Sequence, residues 1–218
     1  MPNNKTINAM VSLSLLVLLP VQVMAASNQE VMKEDKTHVD NWNNFSDQLL
    51  ALHKKQIARF DIKQTEKSGG YADHPDFYNE IKYQDKKSGN LISEVQWEKK
   101  NPGNVHSMQV YVYDDKGRIV RDYGVAFLPF NRNAPIQTLI NIHGYNKKMH
   151  AFKQFDGSGD VIYQFCEGSF NGKEAQMRLF EDDLVATDYD ARQLVKSPLY
   201  KACFNGISDQ LGKYIKPQ

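Results

Sequence analysis

Ile81-Lys-Tyr-Gln-Asp-Lys-Lys-Ser-Gly-Asn-Leu-Ile-Ser-Glu-Val-Gln-Trp97 decides the fold class. On its first arm Ile81 and Tyr83, continuing from Phe77 and Asn79, alternate with Tyr78, Glu80 and Lys82. On its second arm Leu91, Ser93, Val95 and Trp97 alternate with Ile92, Glu94 and Gln96. A period of two sends successive side chains to opposite faces, the pattern of a strand with one face on a core. Between the arms, residues 84–89 supply an aspartate for local backbone hydrogen bonds and a glycine for positive φ. The stretch reads as a β-hairpin.

The same design recurs twice. Residues 110–124 read VYVYDDKGRIVRDYG and residues 151–165 read AFKQFDGSGDVIYQF, each with an Asp/Gly turn between extended arms. At these residues the chain resembles the hairpin repeats of YD/RHS-type and MORN-like proteins. The resemblance covers three separated stretches of about fifteen residues. Their irregular spacing implies no solenoid, and no functional residue follows from the resemblance. Further strands are expected at residues 161–166 and 175–180. Residues 136–143 fit a helix through Ile136, Leu139, Ile140 and His143, or a strand through Ile136, Thr138, Ile140 and Ile142. The β-branched residues favour the strand.

Helices flank the strands. Thr37-His-Val-Asp40 has capping-box spacing, and Trp42, Phe45, Leu49 and Leu52 follow at helical spacing, with Ile57 and Phe60 extending the stripe. Lys67-Ser-Gly-Gly70 is expected to close that segment. Ser197-Pro198 opens a short helix that carries Cys203 and stops at Gly206. The expected fold class is α+β, mainly β. It is an antiparallel meander of hairpins with an N-terminal amphipathic helix packed on it and a short C-terminal helix.

The chain begins with Lys5, an apolar run over residues 10–19, Pro20 and then Val23-Met24-Ala25, the order of a cleavable secretory signal. The run is about ten residues, half of what a bilayer span needs. The expected organisation is a signal peptide at 1–25, a flexible leader at 26–37 and one domain at 38–218. Cleavage would remove Lys5 and bring the formal net charge from +1 to 0. A neutral chain lacks the basic footprint of nucleic-acid binding. No transmembrane segment is expected after cleavage. The two cysteines, Cys166 and Cys203, read as a disulfide in an exported protein. The expected location is the periplasm or the extracellular space.

Catalytic signatures are sparse. There is no G-x-S-x-G, H-E-x-x-H, P-loop or dinucleotide fingerprint. Glu181-Asp-Asp183 lacks the alternating ligands of a calcium loop. If Asn146-Lys147 forms a two-residue turn, His143 faces His150 across a hairpin, where two imidazoles can share copper or zinc. A third ligand would come from His106, His74 or Met149. No other cofactor is expected. Tyr78, Tyr111 and Tyr113 lie on strands as a candidate binding surface. Three functions follow. The first is an exported, non-enzymatic binding or accessory protein that presents an aromatic-rich sheet surface to a protein or small ligand of the cell envelope. The second is a periplasmic metal-dependent enzyme or metal-binding protein using His143 and His150. The third is a lipocalin-like carrier of lipids or small molecules, built on a closed barrel.

Overall fold

A computed structural model of the chain describes residues 36–129, 133–185 and 189–218. The expected signal peptide and nearly all of the expected leader lie outside the described residues. Helix α1 spans Lys36–Arg59, so Thr37 sits within the helix rather than before it. Nine strands follow: β1 Ile62–Tyr71, β2 His74–Asp85, β3 Leu91–Glu98, β4 Val105–Tyr113, β5 Ile119–Ala126, β6 Gln137–Asn146, β7 Met149–Asp156, β8 Val161–Phe170 and β9 Lys173–Phe180. Helices α2 Glu181–Val185, α3 Tyr189–Lys196 and α4 Pro198–Phe204 and a 3₁₀ turn at Gly212–Ile215 complete the chain.

The strands pair in chain order in one antiparallel sheet, β1 through β9. It is the expected mainly β meander, and residues 137–143 of the ambiguous stretch fall on strand β6. The end strands β1 and β9 are not paired with each other, so the closed barrel that a lipocalin-like carrier requires is not formed. Lys67-Ser-Gly-Gly70 does not end the preceding segment. It lies within β1, paired with β2 from Ile62 opposite Asp85 to Tyr71 opposite His74.

Three hairpin turns share one device, an aspartate whose carboxylate gathers backbone N–H groups before a left-handed glycine. Asp85 accepts from the Lys87 and Ser88 amides at 3.3 and 3.0 Å. Asp114 accepts from Lys116 and Arg118 at 3.0 and 2.9 Å. Asp156 accepts from Ser158, Gly159 and Asp160 at 2.9, 2.9 and 3.0 Å. Gly89, Gly117 and Gly159 then take φ of 75°, 73° and 95°, which L side chains adopt at a cost.

The sheet has two unlike faces. Strand β7 alternates buried and half-buried residues without a break. Its buried face, with Val95, Val110, Tyr123, Ile140 and Phe155, packs against Phe45, Leu49 and Leu52 of α1. Leu49 is wholly buried. Phe60 falls beyond the end of α1 and is 37% exposed, so the aromatic stripe stops short of it. His53 of α1 is also buried here, its Nδ1 2.8 Å from Ser93 Oγ and its ring edge-on to Tyr83.

Further along the same face, Met149, Ala151 and Cys166 pack against Cys203, Phe204 and Ile207 of the C-terminal segment. Ser197 caps α4, its Oγ accepting from the Tyr200 amide at 3.1 Å, with Pro198 in the first turn. The Cys166–Cys203 disulfide joins β8 to α4 with Cα atoms 5.7 Å apart. Buried Lys153 reaches out to pair with Asp209. At Gly144 a Cβ would come within 2.6 Å of Ile207, so the C-terminal segment lies directly on bare backbone there.

The disulfide closes a separation of 37 residues, which corresponds to about 3–4 kcal/mol of stabilisation. The paired Cys166→Ala, Cys203→Ser variant should lose that amount in urea unfolding, and an unchanged midpoint would show that the bridge constrains nothing. Burial, reinforced by neighbouring Lys54, lowers the His53 pKa from 6.5 to about 4. The unfolded chain therefore binds this proton first as pH falls from 6.5. Stability that is full above pH 6.5 is lost toward pH 4, by up to about 3 kcal/mol. His53→Gln should flatten the fall over that window, and an equal fall in the variant would assign it to other groups.

Candidate functional site

α1 and α4 both pack on one face of the sheet, leaving chemistry to the other. Parity puts Asp122 of β5 on this second face, since Tyr123 points into the core. Asp122 is 4% exposed. Its Oδ1 accepts from Asn141 Nδ2 at 2.7 Å and from Gln109 Nε2 at 3.2 Å. Its Oδ2 lies 2.7 Å from Nε2 of His143, whose side chain is also buried. His143 Nδ1 in turn meets His150 Nε2 at 3.0 Å, with the ring planes 2° apart. Three groups thus stand in series: a carboxylate, a buried imidazole and a half-buried imidazole.

The hydrogen bonds set the proton logic. A carboxylate only accepts, so His143 Nε2 carries a hydrogen. When His143 is neutral, His150 donates from Nε2 and its own Nδ1 holds a lone pair. When the pair carries one more proton, His150 Nδ1 bears N–H whichever ring donates in the hydrogen bond between them. Burial holds the His150 pKa below the ordinary histidine value; His143 adds to that and Glu167 opposes it. Burial raises the pKa of Tyr111 and of Tyr113, and in both the Asp122 charge adds to the rise.

An aromatic ladder extends from the histidines. Tyr145 stacks on His150 at 4.8 Å and 18°, with the Arg118 guanidinium 4.5 Å from its centroid. Phe152 lies 5.3 Å from His143 and contacts both Tyr163 and Phe165, at 5.8 and 5.5 Å. Tyr163 reaches Phe180 at 5.1 Å. Phe180, on edge strand β9, is 59% exposed. At the other end of the ladder, His150 and Tyr145 line a cleft of about 900 Å³ together with Lys147, Lys148, Glu167 and Glu174.

The expected direct pairing of the two histidines is corrected. The two-residue turn is Lys147-Lys148, with Lys147 at a φ of 54°. His143 therefore lies opposite Phe152, and His150 opposite Tyr145. Moving the turn along by one residue changes each pairing by two, which preserves the face, so the imidazoles meet diagonally. Asp122 and His150 engage opposite nitrogens of His143, so these side chains form a chain and do not converge on one point. The third ligands suggested by the sequence lie elsewhere. Met149 is buried on the opposite face. His74 is at the β1–β2 turn. His106 is at the far end of β4, hydrogen-bonded to the Tyr71 hydroxyl. Among the described residues no group of three or more His, Cys, Asp or Glu is arranged to hold a metal ion.

The three tyrosines separate. Tyr111 and Tyr113 share the face of Asp122, and Tyr113 donates to the Leu91 carbonyl at 2.8 Å. Tyr78 stacks on His106 in a different aromatic cluster with Tyr71 and Phe77. Sequence reasoning missed Asp122, Tyr145, Phe152, Tyr163, Phe165 and Phe180. For the aromatic residues the signal was present as pairs two residues apart on successive strands: His143 and Tyr145, His150 and Phe152, Tyr163 and Phe165, Arg178 and Phe180; Asp122 had none. Glu181-Asp-Asp183 opens α2, where Asp183 accepts from the Phe180 amide at 2.9 Å.

Replacing Asp122 with Ala should destabilise the protein by about 1–2 kcal/mol, because three side-chain donors, two of them half-buried, lose a buried acceptor. Chemical denaturation reads this directly, and an unchanged midpoint would show that the carboxylate is not holding them. Comparisons with protein-family models, curated proteins and solved structures find no match to this chain.

Proposed function

We propose that the protein works outside the cytoplasm as a non-enzymatic binding or accessory protein, taking a protein or small ligand on the aromatic face of β6–β9. One observation carries this reading: the half-exposed rings that touch one another across four adjacent strands and end on Phe180, 59% exposed. A core ring is shielded on every side, and this face lies opposite the packed helices. Aromatic side chains flanked by arginine are the groups that dominate binding energy at interfaces. Arg178 sits beside the ladder, its guanidinium 5.7 Å from the Phe165 ring. The Cys166–Cys203 disulfide supports an oxidising compartment, as does the apolar opening run of the sequence. No described helix is long and apolar enough to cross a membrane.

The test uses the exposed end of the ladder, where substitution does not disturb the core. Immobilised wild-type chain and the Phe180→Asp, Arg178→Glu variant are compared for capture of partners from the native envelope fraction. Specific capture should fall by at least about tenfold in the variant while the unfolding midpoint stays within about 0.5 kcal/mol of wild type. Equal capture by the two proteins overturns the assignment of this face.

A further inference from the structure

Tyr145, His150, Glu167 and Gln176 form one cross-strand row over β6, β7, β8 and β9. All four line the cleft, as do the residues that flank the row toward the turns. Lys147 and Lys148, both exposed, come from the β6–β7 turn. Glu167 and Glu174, also exposed, come from β8 and β9. The cleft thus carries two ammonium groups on one rim and two carboxylates on the other, with His150 placed between Tyr145 and Glu167.

This charge pattern selects among ligands. A simple anion is attracted by the lysine rim and repelled by the glutamates. A simple cation meets the reverse. A wholly apolar molecule would strip water from four charges and return nothing for it. A molecule bearing both signs satisfies both rims, and complementary charge is what gives such a site its selectivity.

We propose that this cleft binds a small zwitterion, a free amino acid or short peptide, with its carboxylate toward Lys147 and Lys148 and its ammonium toward His150, Glu167 and Glu174. The inference rests on the reading of this face as a binding surface and names the ligand for one end of it. His150 is the neutral hydrogen-bonding group at the centre. Its Nε2 is taken by His143, which leaves Nδ1 for the ligand. Asp122 and His143 are positioning residues. They hold the imidazole in place, and through the proton they share with it they set whether Nδ1 donates or accepts. The charged and titratable groups around His150 are His143 and Asp122 behind it, Tyr145 with Arg118 on one side, Glu167 on the other, and Lys147, Lys148 and Glu174 at the rims.

Isothermal titration of the full chain with three probes tests this: dialanine, its N-acetylated form with the carboxylate alone, and its amide with the ammonium alone. Dialanine should bind at least about tenfold more tightly than either blocked form. The Glu167→Gln, Glu174→Gln variant, altered only at exposed positions, should bring dialanine down to the affinity of the acetylated probe. His150→Gln should weaken dialanine by a similar factor. His143→Gln should retain binding but move its pH profile, which a purely structural role would not do. Equal affinity for the three probes, absence of saturable heat at millimolar concentrations, or full dialanine affinity in the glutamate variant each overturns the proposal. If partner capture still depends on Phe180 and Arg178 while dialanine does not bind, the zwitterion site fails and the binding face stands. If dialanine binds as expected while capture ignores those residues, the cleft stands and the wider face fails.

Discussion

Strict alternation of side chains along nine strands paired in chain order is the constraint on which everything else in this protein rests. In a meander without crossovers, every residue's face follows from its own parity and the register of its neighbours. Tyr123 and Asp122 are adjacent in the chain and end in opposite worlds, one under α1 and one at the head of a polar chain. Met149 and His150 divide in the same way, one against the disulfide and the other in the cleft. A slip of one residue in β6 or β7 would exchange the core for the site. The aspartate-led turns at Asp85, Asp114 and Asp156 guard against such slips, because a turn of fixed length fixes the register of the strands it joins.

The two faces are stabilised by different physics. One is covered twice, by the apolar stripe of α1 around Leu49 and by the C-terminal segment around Phe204 and Ile207. That segment is short and supplies few apolar groups, so the disulfide and the pairing of buried Lys153 with exposed Asp209 add what hydrophobic contact alone would not. The other face is held by hydrogen bonds running across strands, from Gln109 through Asp122 and Asn141 to Gln154. Beside that polar row, half-buried rings of β7 and β8 contact one another and exposed Phe180 of β9.

Much of the fold was legible. Strands β2 to β4 followed from period two, β5 and β7 from the arms of the Asp/Gly hairpins, and β6 from its β-branched residues. Strands β8 and β9 followed from the runs on either side of residues 168–172, and α1 and α4 from a helical stripe and a Ser-Pro start. Strand β1 was not legible, because Ile62–Tyr71 is polar, has glycines within it and buries almost nothing. It is a strand because the backbone of β2 offers an unpaired edge, which leaves no mark on side-chain pattern. The site was legible in part. His143 and His150 were singled out as neighbours, and they are neighbours, though through a different turn and with a carboxylate from β5 that no local spacing announces. Tyr78 shows the opposite case. It has the same residue type and period as Tyr111, yet it joins His106 at the other end of the sheet.

The amino-acid order alone was enough to set which segments extend, where they turn and which residues share a face within each strand, because those properties are local to a few covalent bonds. It also provided the cysteine pair and the doublets of aromatic and histidine residues. Register between strands is a long-range property, fixed by the summed fit of turns, core packing and backbone pairing. Only that register brings Asp122 to His143, sets His150 between Tyr145 and Glu167, and lines up Phe152, Tyr163 and Phe180 into one ladder.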